Sequence, residues 1–274
     1  MNVGIIGYGS MGSMIAKGLI EKNIIPARDL YISSRSIEKL SELQNKYDGL
    51  NVSTDNRYAA QNTDIVFMCV KPADTIQVLR EIKKSLRVDA HVISIAGCID
   101  ICDIEKVLKA KITRLMPSIA SEVYSGVSLT CHNEHVTAAD KKKLDGILNA
   151  FGSVREIEEC NFGVGSELTS CAPGLFSAIL KTWVEESLRF GSLSKEESMQ
   201  MAMQTLYGTA KLLIEENMNF DEIIYRVATK GGMTEEGAKI LFGELPAVFQ
   251  KTFASMGQKR ETVTRRLRDS SFPQ

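Results

Sequence analysis

The sequence has few of the residues that build metal centres, and it has no excess of charge of either sign. Three histidines and six scattered cysteines without a C-x-x-C spacing give no expectation of a metal site. A net charge of -1 and a pI near 6.4 provide no basic field for nucleic acid or an anionic membrane. No apolar run is as long as a membrane span, and the N-terminus lacks the basic segment of a signal peptide.

What is present is the composition of an ordinary globular protein, with 44% hydrophobic and 24% charged residues. Its 274 residues suffice for one large domain or for two of ordinary size. The scattered cysteines are typical of reduced, mostly buried thiols in a cytoplasmic protein. His132 and His135 stand together in a polar stretch, so we expect both to be exposed to solvent.

The first twelve residues carry the most informative local pattern in the chain. The short apolar run Asn2–Ile6 predicts a buried strand, and three glycines follow it in the order G-x-G-x-x-G, ahead of a helical apolar spacing. Gly7 would permit the tight turn, Gly9 would let a pyrophosphate approach the backbone, and Gly12 would let helix and strand pack closely. The first N–H groups of the helix would then bind phosphates. The pattern favours dinucleotide binding over a glycine-rich turn with only a structural role.

A second strand, predicted over Leu30–Ser33, bears on the choice of cofactor. An NAD-specific site usually carries an acidic residue near the end of this strand, where it binds the ribose 2′-hydroxyl. Here Ser34, Arg35 and Ser36 follow instead, and they could donate hydrogen bonds and positive charge to a 2′-phosphate. NADP(H) is therefore favoured over NAD(H), with a solvated loop role for Arg35 as the alternative.

The pattern of strands and helices continues to about residue 158. Apolar runs predict strands at 51–53, 64–70, 91–96, 111–115, 127–131 and 153–157, with helices at 37–47, 73–85, 104–108 and 138–151. This alternation predicts an α/β fold with a Rossmann-type, doubly wound, mostly parallel sheet. The loops at Lys71–Pro72 and Met116–Ser118 then lie at the carboxyl edge of the sheet, where such folds bind ligands.

From residue 159 onward the pattern is helical only. Helices are predicted at 176–190, from Ser194 to about 216, at 221–228 and at 235–253 with a break at Pro246. Ser194 and Glu197 fit a capping box, and the charged segment 258–274 is expected to be solvent-facing or frayed. We therefore predict a dinucleotide-binding domain over 1–158 and a helical domain over 159–274 whose apolar faces are covered by a partner subunit.

The whole chain resembles the pyrroline-5-carboxylate reductase family. The resemblance rests on VGIIGYGSMG at the start, SSR after the second strand, CVKP at 69–72, SIAG at 94–97, RLMPS at 114–118, TSCAPGLFSAIL at 169–180 and KGGMTEEG at 230–237. It implies a C-terminal helical dimerisation domain, a homodimer or dimer-based oligomer, and a small-molecule substrate. It also implies reduction of the ring C=N of 1-pyrroline-5-carboxylate to L-proline by hydride transfer from NADPH or NADH.

The resemblance also implies which residues form the site. The cofactor would be bound at the pyrophosphate by Gly7, Gly9, Ser10, Met11 and Gly12, at the adenosine end by Ser34 and Arg35, along its length by Val70, Lys71 and Pro72, and near the nicotinamide by Ala96, Met116 and Pro117. The substrate would be bound by Thr229, Lys230, Gly231, Gly232, Met233 and Cys171. Thr234 matches the threonine that contacts the ring nitrogen and is the predicted catalytic residue.

Departures from the family pattern cluster at the substrate end. Cys171 replaces a hydroxyl, Ala172 a glycine, Leu175 a tyrosine, Ser118 an asparagine and Lys230 a proline. In these changes the chain is similar to the late-competence paralogues of spore-forming bacteria within the family. Two alternatives to the reductase therefore stay open. One is a catalytically weak, cofactor-binding regulatory protein, and the other is an enzyme for another small carboxylated imine or a β-hydroxyacid.

The individual site residues have alternative interpretations. Thr234 could cap the helix that follows it, and Lys230 could pair with a substrate carboxylate or be a solvated loop lysine. Cys171 could be a reactive thiol at a helix N-terminus or a small buried thiol. Lys181 is a candidate lysine for a β-hydroxyacid enzyme. The imine chemistry requires no histidine or acidic pair, because a cyclic imine is basic enough to be partly protonated near neutral pH.

Overall fold

The computed structural model describes residues 1–272 and divides into two compact units. Unit 1 comprises Met1–Ala172 together with the end of the chain from Gly257 onward, and unit 2 comprises Pro173–Met256. Unit 1 therefore extends past the domain boundary predicted between residues 158 and 159. The division of the chain into two functional domains at that boundary stays a prediction. Pro273 and Gln274, the end of the charged segment predicted to be frayed, lie outside the described residues.

Unit 1 is built on a single eight-stranded sheet. Its strands are β1 (Val3–Ile6), β2 (Leu30–Ser33), β3 (Asn51–Ser53), β4 (Ile65–Met68), β5 (His91–Ser94), β6 (Lys111–Met116), β7 (Gly126–His132) and β8 (Gly152–Glu156). Their order is β3-β2-β1-β4-β5-β6-β7-β8, and β1 to β6 all run parallel. Every residue of β1, β4 and β5 is buried, as expected for strands covered on both faces. The predicted doubly wound α/β fold is confirmed.

The last two strands depart from the parallel arrangement. β7 pairs antiparallel with β6, and β8 pairs parallel with β7. The connection from β6 to β7 is short and contains only a 3₁₀ helix over Ile119–Val123. A parallel connection needs a crossover of about a dozen residues or more, so this short link turns the chain back on itself.

Seven helices pack on the two faces of the sheet within the described part of unit 1. They are α1 (Ser10–Glu21), α2 (Ile37–Lys46), α3 (Asn56–Asn62), α4 (Pro72–Ile82), α5 (Ile101–Glu105), α6 (Ala138–Leu148) and α7 (Phe162–Leu168). The helix predicted over 104–108 lies three residues earlier, and the one predicted over 138–151 ends at Leu148 in a 3₁₀ turn. The sequence reasoning missed α3 and α7, since seven residues are too few to show a helical apolar period.

A buried polar chain crosses the sheet from β5 to β7. His91 Nε2 lies 2.6 Å from Thr113 Oγ1, which lies 2.7 Å from His132 Nδ1. A hydroxyl carries one proton, so Thr113 donates to one imidazole and accepts from the other. Burial lowers the pKa of His91 to about 4 and also lowers the pKa of His132. The predicted exposure of His132 is therefore wrong, because the residue lies in β7, whereas His135 is exposed as predicted.

The cysteines are less buried than predicted. All six are free, but only Cys131 is buried, and Cys102, Cys160 and Cys171 are exposed. The exposed ones lie on the short helix α5, in a 3₁₀ turn at Glu159–Asn161, and directly before a helix. Side chains on surface turns and short helices reach little of the protein interior, which explains why these three thiols are exposed.

Unit 2 is helical throughout. It contains α8 (Ala172–Ser187), α9 (Lys195–Ile214), α10 (Phe220–Val227) and most of α11 (Met233–Ser271). The predicted Ser194–Glu197 capping box is confirmed. The predicted break at Pro246 is wrong, since α11 continues through it. A proline removes one backbone hydrogen bond, and the turns on either side keep theirs. No helix within residues 1–272 is long and apolar enough to cross a membrane.

Unit 2 exposes most of its apolar side chains. Val184 is buried at 3%, whereas many large apolar residues are exposed, among them Phe176, Trp183, Met203, Tyr207, Tyr225, Ile240 and Phe242. Exposed patches of this extent are typical of interfaces. The pattern agrees with the predicted cover by a partner subunit.

The charged end of α11 belongs to unit 1 and packs on it through one face, so the predicted fraying is wrong for the described residues, while Lys259, Arg265 and Arg266 are exposed as predicted. Leu267 is buried at 8% in the core cluster. Arg268 Nε donates to Asp103 Oδ2 at 2.8 Å, and the guanidinium also bonds to Asp100. Arg260 pairs with Glu167, whose side chain is only 4% exposed. Two of the arginines that suggested a solvated tail, Arg260 and Arg268, thus neutralise buried or partly buried acids of unit 1.

The buried imidazole of His91 makes the free energy of unfolding depend on pH. Its folded pKa of about 4 lies below the ordinary 6.5, so the unfolded chain binds the proton more readily. Stability is complete above about pH 6.5 and falls as the pH decreases toward 4, by about 3 kcal/mol from this residue. We expect His91→Gln to reduce that dependence to the part that comes from His132, whose pKa burial also lowers, as measured by urea unfolding at fixed protein concentration between pH 4 and 7.

The exposed His135 provides the matched control. His135→Gln should leave the wild-type pH dependence unchanged. Hydrogen bonds from Thr137 and Lys111 hold the pKa of Asp140 at about 2, against the effect of burial. Protonation of Asp140 therefore lowers the stability of every variant only at more acidic pH. An unchanged slope in His91→Gln would show that the imidazole does not remain neutral in the folded protein.

Candidate active site

The glycine turn between β1 and α1 forms the centre of the carboxyl edge of the sheet. Gly7 has φ +102°, and a Cβ on it would lie 2.7 Å from the backbone carbonyl of Cys69. A Cβ on Gly12 would lie 2.0 Å from the Gly7 carbonyl oxygen. No atom lies within 4 Å of a Cβ placed on Gly9. The turn and packing roles predicted for Gly7 and Gly12 are confirmed, and the space beside Gly9 is open.

The start of α1 leaves backbone donors free beside that space. The helix begins at Ser10, and no side chain caps it at Gly9. The first N–H groups of a helix have no partner within the helix, and Ser13 N–H is the first to bond, to the Gly9 carbonyl. A cleft of about 840 Å³ borders Gly9 and Ser10. The unpaired donors of Ser10, Met11 and Gly12, together with the helix dipole, suit a phosphate group.

The end of β2 places Ser34 and Arg35 at the same edge. Arg35 is 88% exposed, and its Nη2 lies 3.6 Å from Asp74 Oδ2 on α4. An exposed ion pair of this kind contributes little, so the guanidinium is free to turn toward a ligand. Ser33 Oγ donates to Asn56 Oδ1 at 2.9 Å, which brings the start of α3 to this edge. The sequence analysis missed Asn56 and Asp74, although each lies just after a predicted strand.

The ends of β4, β5 and β6 complete this edge. Cys69 N–H donates to the Ile6 carbonyl at 2.7 Å, which holds the loop Val70–Pro72 beside the glycine turn. Ala96 is buried at 3%, and Met116 Cε would lie 2.9 Å from a Cβ on Gly97. The residues predicted to line a cofactor therefore follow neighbouring strands of one sheet. Their contacts with a cofactor stay a prediction.

Cys171 lies beside the end of β6. Ser170 Oγ donates to the Pro117 carbonyl at 2.8 Å, and Ser118 Oγ donates to the Thr169 carbonyl at 3.4 Å. These two bonds join the turn before α8 to the end of the strand. Cys171 is exposed as a residue, but partial burial of its thiol raises the pKa, and the charge of Glu167 raises it further. The thiol is therefore protonated at neutral pH, which does not support the reactive-thiol interpretation.

The predicted substrate-binding residues of unit 2 form one compact turn. Gly232 N–H donates to the Thr229 carbonyl at 2.8 Å, and Gly231 has φ +76°, which is the geometry of a type II turn. Thr234 is exposed and lies in the first turn of α11, which begins at Met233. Because Thr234 is inside the helix, the capping interpretation of this residue is wrong. The hydroxyl has no hydrogen-bond partner among the described residues.

The two lysines singled out in the sequence differ in their surroundings. Lys230 is exposed, and no carboxylate of residues 1–272 pairs with it. Lys181 is 71% exposed on α8, where it pairs with Glu185 at 3.9 Å. A pairing along one helix surface gives no support for a catalytic role of Lys181. The same range contains no group of three or more histidine, cysteine or acidic side chains that could hold a metal ion.

Comparison with known proteins assigns both parts of the chain. Residues 2–97 match the family model "NADP oxidoreductase coenzyme F420-dependent", and residues 159–262 match "Pyrroline-5-carboxylate reductase dimerisation". Pyrroline-5-carboxylate reductase 3 of Bacillus subtilis (strain 168) is 39% identical over 264 residues, which is 96% of each chain.

Solved structures agree with these matches. A pyrroline-5-carboxylate reductase from Coxiella burnetii is 28% identical, covers 97% of this chain and 98% of its own, and has a TM-score of 0.85. Pyrroline carboxylate reductase from Plasmodium falciparum, with NADP bound, is 26% identical, covers 99% and 98%, and has a TM-score of 0.80.

These likenesses cover the glycine turn, the loops at the carboxyl edge and the helical unit together. At 39% identity along nearly the whole chain, the match extends beyond a shared fold. The chain belongs to the pyrroline-5-carboxylate reductase family.

Proposed function

We propose that this protein reduces the ring C=N of 1-pyrroline-5-carboxylate to L-proline, with NADPH as the hydride donor. The observation that carries the proposal is the full-length likeness to the Bacillus subtilis reductase, joined to a dinucleotide-type glycine turn whose central position is open. A Cβ at Gly9 would occupy this open space, so the residues present fit a nucleotide. When bound, reduced nicotinamide supplies the hydride for the imine carbon.

The chain's own groups would bind and orient the cofactor. The N–H groups of Ser10, Met11 and Gly12 would bind the pyrophosphate at the start of α1. The adenosine end would lie at the end of β2, beside Ser34 and Arg35. The remaining cofactor contacts come from the loops after β4, β5 and β6, at Val70, Lys71, Pro72, Ala96, Met116 and Pro117.

On the substrate side, the turn that precedes α11 would hold the carboxylate. Gly231 and Gly232 shape the turn, the N–H groups at the start of α11 from Met233 onward face outward from it as donors, and Lys230 adds a positive charge that no carboxylate of residues 1–272 pairs with. The Thr234 hydroxyl would hydrogen-bond the ring nitrogen and help to hold its proton. Because a protonated cyclic imine is already a good hydride acceptor, positioning supplies most of what the reaction needs from the protein.

The preference for NADP(H) over NAD(H) is part of the proposal. Its support is a guanidinium that is 88% exposed at Arg35 and two neighbouring hydroxyls, where an NAD-specific site would have an acid. A charge-assisted hydrogen bond to a 2′-phosphate would add affinity that the 2′-hydroxyl of NADH cannot supply.

The protein forms a homodimer or a dimer-based oligomer through unit 2. Residues 159–262 match the dimerisation model, and unit 2 leaves Trp183, Tyr207 and Phe242 exposed by 60% or more. A cytoplasmic location is also proposed, since the six cysteines are all free, as in reducing compartments.

A second candidate is a cofactor-binding regulatory protein with weak catalysis. The observation in its favour is that Ser118, Cys171 and Lys230 differ from the family pattern while the glycine turn does not. The two candidates differ in substrate-dependent oxidation of NADPH, which only the reductase performs at rates usual for enzymes.

Purified protein should oxidise NADPH when 1-pyrroline-5-carboxylate is added, as followed by nicotinamide absorbance. Thr234→Val should lower kcat/KM by about 10- to 100-fold, since it removes the hydroxyl at the ring nitrogen. Thr262→Val, which removes another exposed hydroxyl of α11, should leave the rate unchanged. NADPH binding without oxidation by the wild-type protein would favour the regulatory candidate.

Arg35→Ala should lower kcat/KM for NADPH by about 10- to 100-fold and leave that for NADH within about twofold, as loss of a charged hydrogen bond predicts. Steady-state kinetics with both cofactors measure the difference. Arg28→Ala, at the opposite end of β2 and 81% exposed, is the control. Equal losses with both cofactors would rule out contact of Arg35 with the 2′-phosphate.

Gly9→Ala should separate cofactor binding from folding. The backbone at Gly9 has φ -93°, which any residue adopts, and the new methyl group meets no protein atom within 4 Å. We expect the melting temperature to stay unchanged while the Kd for NADPH rises about tenfold or more, because the methyl group enters the phosphate path. Gly146→Ala, equally free of contacts, should change neither binding nor fold. Unchanged affinity in Gly9→Ala would place the cofactor elsewhere.

A further inference from the structure

The turn that precedes α11 lacks the residue that would best preset its shape. In the type II turn Thr229–Gly232, glycine at the third position supplies the positive φ, and Gly231 meets this requirement with φ +76°. The second position is Lys230, whose φ is not fixed as a proline's would be. The Thr229–Gly232 hydrogen bond alone restrains the turn from within, so a further restraint must come from outside it.

Glu235 supplies such a restraint. Its Oε2 accepts the Gly231 N–H at 2.6 Å, and its Oε1 lies 3.8 Å from Lys239 Nζ. The carboxylate stands at the third residue of α11, where the positive end of the helix dipole favours it. Both of its oxygens are therefore engaged, and the bond spans the turn from the helix that follows.

This contact also determines which backbone donors remain for a ligand. The N–H groups of Gly231 and Gly232 are used inside the turn. Those of Met233, Thr234 and Glu235, at the start of α11, have no protein acceptor among the described residues, since they precede the first intrahelical bond, from Glu236 to Gly232. A substrate carboxylate would thus meet free backbone donors, and those of Met233 and Thr234, directly after the turn, depend on its shape for their direction.

We propose that Glu235 is a positioning residue that holds the turn Thr229–Gly232 in its substrate-binding shape and thereby aims the Met233 and Thr234 N–H groups at the substrate carboxylate. This inference rests on the proposed function of the turn. Glu235 does not touch the reacting atoms. Its effect is on the fraction of molecules whose turn is ready to bind.

The neighbouring Glu236 provides a matched control. It carries the same charge at the next position of α11, is 69% exposed, and pairs only with Lys239 at 2.7 Å. Its side chain makes no hydrogen bond to the turn among the described residues, and its backbone N–H bond to the Gly232 carbonyl is kept in an alanine variant. Any effect of general charge at the start of α11 would appear in both variants, whereas loss of the turn restraint would appear in Glu235→Ala alone.

Kinetics of the full-length protein with saturating NADPH test the proposal. Loss of a prepared turn reduces the binding-competent fraction, which raises the apparent dissociation constant by the same factor. Glu235→Ala should therefore raise KM for 1-pyrroline-5-carboxylate by about tenfold and change kcat by less than about threefold. Glu235→Gln, whose amide oxygen still accepts the Gly231 N–H, should stay near wild type, as should Glu236→Ala.

Hydrogen–deuterium exchange of peptides spanning 229–234 tests the restraint without any substrate. Glu235→Ala should speed exchange in this segment, and Glu236→Ala should not. Unchanged exchange in Glu235→Ala, or faster exchange with an unchanged KM, would overturn the proposal. An inactive wild-type protein would overturn the proposed function instead, and exchange would still show whether Glu235 holds the turn.

Discussion

The close approach of two backbones at the carboxyl edge is the constraint on which the rest of unit 1 depends. A side chain at Gly7 would meet the Cys69 carbonyl within 2.7 Å, and one at Gly12 would meet the Gly7 carbonyl within 2.0 Å. These contacts fix where β1 ends, where α1 begins and how close β4 lies. The open position at Gly9 and the free N–H groups of α1 follow from this packing, so the binding edge and the core are set by the same atoms.

Much of this arrangement could be predicted because it is encoded locally. The glycine spacing, the buried apolar strands and the Ser194–Glu197 capping box each depend on residues within a few positions of one another. The features that the sequence reasoning missed depend on distant partners. Arg268 is a surface residue by any local criterion, and only the fold brings it to Asp103, 165 positions away. His132 is likewise buried because it is the last residue of β7. The polar residues that follow it in the sequence gave no sign of that burial.

The candidate site shows the same division. The cofactor residues follow predicted strands, and the parallel sheet brings them to one edge without further information. The substrate residues needed the resemblance, since a lysine, two glycines and a threonine before a helix have many uses. The start of α11 at Met233, two residues before the predicted start at Glu235, changed the interpretation of Thr234, because a residue within the first turn of a helix is not its N-cap.

The path of α11 bears on how this protein can be divided and recombined. The helix starts in unit 2, and its last turns supply Leu267 to the core of unit 1 and arginines to Asp103 and Glu167, which are only 1% and 4% exposed. Unit 1 is thus assembled from two segments of the chain that are separated in sequence by unit 2. A fragment that stops before α11 would leave the buried Glu167 carboxylate without its cation and Asp103 with only Lys106, so the dinucleotide unit is not a module that can be exchanged by cutting the chain once.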